Sequence, residues 1–252
     1  MLEVCAIASG SNGNCYYIGN NSDAVLIDAG ISAKQIFLRM KERGLDPAKI
    51  KALFITHEHG DHIRGARVLG KRLQAPVYIT AKTYNSSYKN LRPDYPRFFT
   101  PDNTIQVGDF RIHPVLKNHD AAEPCSFRIE YKNRNIGVFT DIGEACDNVK
   151  SHLNKCHGLF LESNYDEKML WEGNYPWPLK KRVASGVGHL SNNQAFQLLE
   201  NHAGENLKFV FLSHLSKENN TPEIALENMQ PLTHRFEIKL ASRYEASEVI
   251  KL

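Results

Sequence analysis

Short apolar runs closing on one polar residue recur along the chain. Val25-Leu26-Ile27-Asp28-Ala29-Gly30 and Val138-Phe139-Thr140-Asp141-Ile142-Gly143 each end in Asp-x-Gly. Leu53-Phe54-Ile55-Thr56-His57 and Val210-Phe211-Leu212-Ser213-His214 each end in Ser/Thr-His. Runs of this length with such boundaries read as buried strands. Their repeated order points to two similar halves whose strand ends meet in one place; chance likeness of short strands is the bland alternative.

Between these runs the period changes. Residues 32–43 open at a candidate N-cap, Ser32, and stop at Gly44. Residues 61–73 set Ile63, Ala66, Leu69 and Leu73 on one side of a predicted helix, with Arg64, Arg67, Lys71 and Arg72 on the other. Ser191-Asn192-Asn193-Gln194 fits a capping box before a helix ending near Gly204. Thr221-Pro222-Glu223 offers an N-cap followed by proline at the first helical position. Residues 77–136 read as mostly strand, with Pro- and Asn-rich turns. Alternating strands and helices predict a layered α/β architecture, and the lack of a low-complexity linker predicts a single domain over 1–252.

Composition narrows the class without fixing the chemistry. A chain of 252 residues, 42% apolar and 23% charged, has the balance of a globular protein. Its 31 Lys and Arg against 28 Asp and Glu leave +3, so a nucleic-acid partner has to be argued from local clusters. Cys5, Cys15, Cys125, Cys146 and Cys156 contain no C-x-x-C pair and read as thiols of a reducing compartment. No leader-like opening and no apolar stretch of membrane-spanning length is present, so the expectation is a cytoplasmic protein without a membrane partner.

The chemistry centres on His57-Glu58-His59-Gly60-Asp61-His62, directly after an apolar strand. Period-two alternation turns His57 and His59 the same way, while a helix starting near Asp61 turns Asp61 and His62 toward a neighbouring point. Gly60 is expected to supply the freedom for so tight a corner. A lone histidine is usually a surface or satisfied core residue; three with an aspartate within six residues point to metal. His152, His157, His202 and His234 carry no partner motif and read as surface residues, and His113 sits inside a strand pattern.

His-x-His-x-Asp-His after such a strand resembles the signature of the metallo-β-lactamase superfamily, and the remaining motifs follow in the family's order. Leu26-Ile27-Asp28-Ala29-Gly30, Lys117-Asn118-His119-Asp120, Thr140-Asp141-Ile142-Gly143 and Leu212-Ser213-His214 carry the likeness over the whole chain. The resemblance implies a four-layer αββα sandwich with metals at the sheet edges. It implies one ion on His57, His59 and His119, a second on Asp61, His62 and His214, and Asp141 as the bridge. Asp28 becomes a candidate for orienting a metal histidine, alongside a plain strand-ending role. Imidazole and carboxylate donors suit two divalent ions, Zn²⁺ or Mn²⁺, with Fe also allowed. Two ions ~3.5–4 Å apart can share a hydroxide and hold a leaving oxygen.

A narrower resemblance is to the YycJ/WalJ-type branch, which acts on DNA as exonucleases. It rests on Ala8-Ser9-Gly10-Ser11-Asn12-Gly13-Asn14-Cys15, Asn118-His119-Asp120-Ala121, Leu161-Glu162-Ser163-Asn164-Tyr165-Asp166, Gly188-His189-Leu190-Ser191-Asn192 and His214-Leu215-Ser216-Lys217-Glu218-Asn219-Asn220. With only 73 positions separating His214 from Asp141, no inserted clamp domain is expected. Tyr175-Pro176-Trp177-Pro178-Leu179-Lys180-Lys181-Arg182 joins aromatic faces to three cations, as a nucleic-acid strand requires, though a solvated loop has the same look. The cationic side of 61–73 is equally what a solvated helix face shows. His189, just before the Ser191 cap, is a candidate for touching the scissile phosphate or protonating the leaving oxygen, with Asp61 holding the nucleophile. Ser11, Asn12 and Asn14 either line the site or only form its turn. The expected function is a dinuclear phosphodiesterase on DNA, 5′-to-3′. The alternatives are a small-molecule hydrolase of this fold, acting on a thioester, lactone or cyclic nucleotide, and a non-catalytic metal protein in a signalling or repair assembly.

Overall fold

The computed structural model describes residues 1–101 and 103–252. The first sheet takes β1 (Glu3–Ala8), β2 (Cys15–Gly19), β3 (Ala24–Ile27), β4 (Ile50–Phe54), β5 (Val77–Thr80) and β6 (Pro96–Phe99). The second takes β7 (Ile105–Val107), β8 (Phe110–Leu116), β9 (Cys125–Tyr131), β10 (Arg134–Phe139), β11 (Gly158–Glu162), β12 (Phe209–Ser213) and β13 (Glu237–Leu240), and β14 (Ile250–Lys251) returns to the edge of the first. The orders are β14-β1-β2-β3-β4-β5-β6 and β13-β12-β11-β10-β9-β8-β7. In each sheet an antiparallel meander turns parallel, at β3–β4 in one and at β10–β11 in the other. The echo between the two halves is thus a repeat of topology.

Helices α1 (Ala33–Glu42), α2 (Gly60–Ile63), α3 (Ala66–Leu73) and α4 (Ala81–Ser86) belong to the first half, and α5 (Asp147–Leu153), α6 (Glu167–Glu172), α7 (Trp177–Val183), α8 (Asn192–His202) and α9 (Pro222–Met229) to the second. Three apolar layers separate helices and sheets. Phe54, Phe127, Phe160, Phe211 and Tyr16 fill the space between the sheets. Ile36, Met40 and Leu69 of α1 and α3 cover the first sheet, while Val149, Leu198, Leu199 and Met229 of α5, α8 and α9 cover the second. The order is helices, sheet, sheet, helices: the αββα sandwich the sequence implies.

Local signals acted as expected at several ends. Ser32 caps α1 through Gln35 N–H, and Ser191 forms the capping box of α8 with Gln194. Three expectations need correction. The helix expected over 61–73 is broken into α2 and α3, because the Gly65 N–H donates to Ala29 O at 2.7 Å instead of continuing the helical ladder. The strand-like stretch 77–136 also holds α4, capped by the Thr80 side chain on Thr83 N–H. The supposed loop at 175–182 contains α7, where Pro178 is tolerated because the first helical turn needs no amide donor there.

Candidate metal centre

The strand ends and their following turns converge at one edge of the sandwich. Three non-glycine residues there adopt left-handed backbone: Asp28 (φ 63°) after β3, Asp141 (φ 56°) after β10 and His214 (φ 57°) after β12. Such conformations cost about 1–3 kcal/mol each and persist where the surroundings enforce them. Asp28-Ala29-Gly30 also braces the histidine run: Ala29 N–H donates to His62 O and Gly30 N–H to Asn14 O, at 2.8 and 2.7 Å. A Cβ on Gly30 would sit 1.6 Å from Asp61 O, so a close approach fixes this glycine. Gly60, expected to be the demanding one, lies in α2, where an added Cβ would meet only Arg64 Nη2 at an ordinary 3.7 Å.

Donor atoms of His57, His59 and His119 lie within 4.8 Å of one another, as do those of Asp61, His62 and His214 and those of His57, His62 and Asp141. Asp141 lies between the sets: Oδ2 is 3.2 Å from His62 Nε2, and Oδ1 is 3.5 Å from His214 Nδ1 and 3.9 Å from His119 Nε2. The hydrogen-bond network fixes the ring tautomers. Thr56 Oγ1 donates its only hydrogen to Asp28 Oδ2 at 2.8 Å, so His57 Nδ1–H must donate to Thr56 Oγ1 at 2.9 Å. His62 Nδ1–H donates to Asp28 Oδ2 (2.7 Å), His119 Nδ1–H to Gly188 O (3.0 Å) and His214 Nδ1–H to Glu162 Oε1 (2.9 Å). With Nδ1 committed in each of these rings, Nε2 is the atom turned toward the centre. His57 Nε2 is buried there with no hydrogen-bond partner among the described residues. An orphaned imidazole lone pair beside carboxylates is what a cation completes.

The electrostatics agree. Burial pushes the His57 imidazole well below its usual pKa and His119 down to about 4, keeping both neutral. For His214 burial acts the same way, but Asp141, Asp61 and Glu162 outweigh it and carry the ring up to about 10. Burial opposes charge on Asp141, yet the facing imidazoles of His214 and His62 hold it well below the carboxylate range. A pocket that holds carboxylates ionised and draws positive charge onto buried rings suits a divalent cation.

Glu162 has no metal or catalytic role in the reading from sequence. Fully buried at the end of β11, it accepts from Ile142 N–H and Leu190 N–H through Oε2, and from His189 Nδ1–H and His214 Nδ1–H through Oε1. Burial would raise its pKa, but His189 and His214 hold it at about 2. Asn14, a candidate from the Gly-rich turn, does reach the site: its Nδ2 lies 3.1 Å from His62 Nε2.

Other sequence candidates divide. His189 stands beside the centre, its ring 5.3 Å from that of His119 and 5.2 Å from that of His214. Ser11 and Asn12 are exposed in the turn above the histidine run. On α7, Trp177 and Arg182 are exposed; Arg182 pairs closely with Asp120, next to His119, and Lys181 lies over the Trp177 ring. Tyr175 is half-buried. Lys180 departs from expectation: it is buried, and its Nζ donates to Trp171 O at 2.7 Å, so it is committed to the fold rather than offered to a ligand. His152, read from sequence as a surface residue, is half-buried and accepts from Arg128 Nε at 3.3 Å. His113 is outside the centre, its Nε2 2.9 Å from Glu130 Oε2.

Fold and site together define a metal-dependent hydrolase fold with a divalent-metal centre. Residues 8–189 match the model of the metallo-beta-lactamase superfamily, and the chain belongs to that superfamily. Within it the similarity runs to the YycJ/WalJ type. Exodeoxyribonuclease YycJ of Bacillus anthracis is 34% identical over 227 residues, 89% of this chain and 86% of the relative. Exodeoxyribonuclease WalJ of Streptococcus pneumoniae serotype 2 is 34% identical over 224 residues, 87% and 83% of the two chains. The crystal structure of the metallo-beta-lactamase fold protein YhfI from Bacillus subtilis superimposes over 100% of both chains with TM-score 0.74 at 17% identity, a likeness of fold. Among the described residues, no helix is long and apolar enough to cross a membrane.

Proposed function

We propose that the chain is a dinuclear metal-dependent phosphodiesterase that hydrolyses DNA from the 5′ end, in the cytoplasm. The reading rests on one observation above others: two imidazole–carboxylate sets converge on Asp141 in a chain 34% identical to exodeoxyribonucleases over most of its length. His57, His59 and His119 would hold one ion and Asp61, His62 and His214 the other, with Asp141 shared between them; the donor set suits Zn²⁺ or Mn²⁺, with Fe allowed. When bound, the two ions supply a nucleophile of lowered pKa and a Lewis acid for the leaving oxygen.

The chain's own groups do the rest. Asp28 and Thr56 engage Nδ1 of His62 and His57, so that Nε2 would be the atom left to hold an ion. Asp61 orients the nucleophile. Glu162 fixes the Nδ1 hydrogen of His189, leaving Nε2 to exchange a proton with the leaving oxygen. Trp177, Lys181 and Arg182 on α7, with Tyr175, Ser11 and Asn12 at the rim, offer stacking and phosphate contacts to the strand. Incubating protein loaded with Zn²⁺, Mn²⁺, Fe²⁺ or Co²⁺ with 5′-labelled single- and double-stranded DNA tests the reading. Release of 5′-terminal nucleotides is expected; absence of cleavage with every ion rejects it.

A further inference from the structure

The charge of this chain is unevenly placed. Residues 63–99 contain eight Lys and Arg and one acid, Asp94, a net +7 within a chain of +3, so the remainder carries −4. The fold gathers part of this excess. Arg67 and Lys71 of α3 and Arg97 of β6 line one groove of about 420 Å³ together with Tyr95 and Asp94. Tyr95 is 88% exposed, an aromatic face with nothing stacked on it among the described residues. Asp94 takes one of the cations, 2.9 Å from Arg67 Nε, and leaves Lys71 and Arg97 as surplus positive charge.

The basic run that supplies Arg67 and Lys71 begins beside the metal centre. Arg64, one turn before Arg67, places its Nη1 3.5 Å from Asn12 O, and its Nη2 would lie 3.7 Å from a Cβ on Gly60, beside the histidine run. Arg64 at the end of α2 is followed by Arg67 and Lys71 on α3, so the cations run from the histidine turn to the groove. A merely solvated face mixes both signs and needs no aromatic. Here cations from a helix and from a distant edge strand converge on one concavity beside an exposed ring.

We propose that this groove is a track for an unpaired nucleic-acid strand joined to the DNA being cut, with phosphates on Lys71 and Arg97 and a base stacked on Tyr95. It rests on the phosphodiesterase reading and adds a second wall to it, on the side of the first sheet, away from α7. Two variants test it, the double change Lys71→Ala with Arg97→Ala and the single change Tyr95→Ala. Both are assayed on a single strand of about twenty nucleotides and on bis(4-nitrophenyl) phosphate, which reaches only the metal centre.

For the strand, KM rises roughly tenfold in each variant. In the double variant the dependence of log(1/KM) on log salt flattens by about 1.4, two lost single-strand phosphate contacts. Hydrolysis of the small ester is unchanged, which also shows that the variants are folded. Unchanged strand KM and salt slope, in enzyme that still cuts DNA, overturn the groove and leave the nuclease standing. Wild-type enzyme that hydrolyses the ester but no DNA removes both readings. Inhibition of strand cleavage by polyglutamate that is lost in the double variant but retained in Tyr95→Ala reassigns the groove to an acidic polypeptide.

Discussion

Asp28→Asn isolates one hydrogen bond behind the proposed metal site. The carboxylate is wholly buried and accepts three bonds: from Thr56 N–H at 2.8 Å, from Thr56 Oγ1 at 2.8 Å and from His62 Nδ1–H at 2.7 Å. Asparagine has the same shape and tolerates the left-handed backbone at φ 63°, so no strain is added. If its oxygen keeps the Thr56 amide, its NH₂ faces both the Thr56 hydroxyl and His62 Nδ1, donor against donor. His62 escapes by moving its proton to Nε2, where it blocks the lone pair meant for the ion. The lost charge-assisted bond is worth about 1.5–3 kcal/mol. At about 1.4 kcal/mol per factor of ten, that is roughly a 10–100-fold loss of affinity for the ion on His62, the range expected for a partner behind a ligand. Competition with a chromogenic chelator measures it, reading two ions per chain separately. The first ion should dissociate far more easily while the ion on His57, His59 and His119 weakens less. Affinities within twofold of wild type for both ions would refute the tautomer argument.

Other consequences follow from single residues. Glu162→Gln keeps its oxygen on the Ile142 and Leu190 amides and turns its NH₂ toward His189 and His214; kcat should fall by about 10²-fold with little change in KM, read from steady-state cleavage of labelled DNA. Phe160→Ala empties a buried site packed between Tyr16 and Phe211, at 4.8 and 5.2 Å between ring centres, and should cost about 3–5 kcal/mol, lowering the melting temperature by roughly 10 °C in calorimetry. His152 is held neutral, by burial first and then by Arg128 and Lys155, with its pKa pushed down to about 4 from an unfolded value of 6.5. Below pH 6.5 the unfolded chain takes that proton first, so this residue removes stability as pH falls from about 6.5 to about 4 and adds no further loss below. Denaturant unfolding of His152→Asn across that window should give a flatter curve than wild type; parallel curves would exclude the mechanism.

The parts of the fold legible in sequence are those written locally. Apolar runs closing on Asp-x-Gly or Ser/Thr-His mark strand ends, and those ends carry Asp28, His57, Asp141 and His214 to one edge. Capping at Ser32 and Ser191 was readable for the same reason. What depends on tertiary contact was not. Glu162 is one acid at the end of one strand, and only the fold sets it under His189 and His214, 27 and 52 positions away. Lys180 belongs to a run of three cations, and only the turn of α7 decides that its ammonium goes inward to Trp171 O. The break between α2 and α3 reflects a bond from Gly65 to Ala29, invisible to helical periodicity. Residues 175–182 did carry a usable signal, proline in a first helical turn, but Pro-Trp-Pro also reads as loop punctuation.

Why the site sits at the seam follows from how the two sheets are joined. The first supplies His57, His59, Asp61 and His62; the second supplies His119, Asp141, Glu162 and His214, and neither half holds both sets. The aromatic layer sets their spacing, and Tyr16 ties that layer to the chemistry. Its ring packs on Phe160, two residues before Glu162, while its hydroxyl donates to Asn14 Oδ1 at 3.2 Å and bonds Ser9 Oγ at 2.9 Å. Ser9 Oγ in turn accepts from His214 N–H at 2.8 Å, and Asn14 Nδ2 reaches His62 Nε2 at 3.1 Å. One buried side chain of the first sheet thus links, through hydrogen bonds, a histidine from each half. A close-packed interior resists dilation, so the distance across the seam is fixed by residues that never touch an ion. Left-handed backbone at Asp141 and His214 can be sustained for the same reason: the surroundings enforce it from both sheets, and the strain is held where the donors are needed.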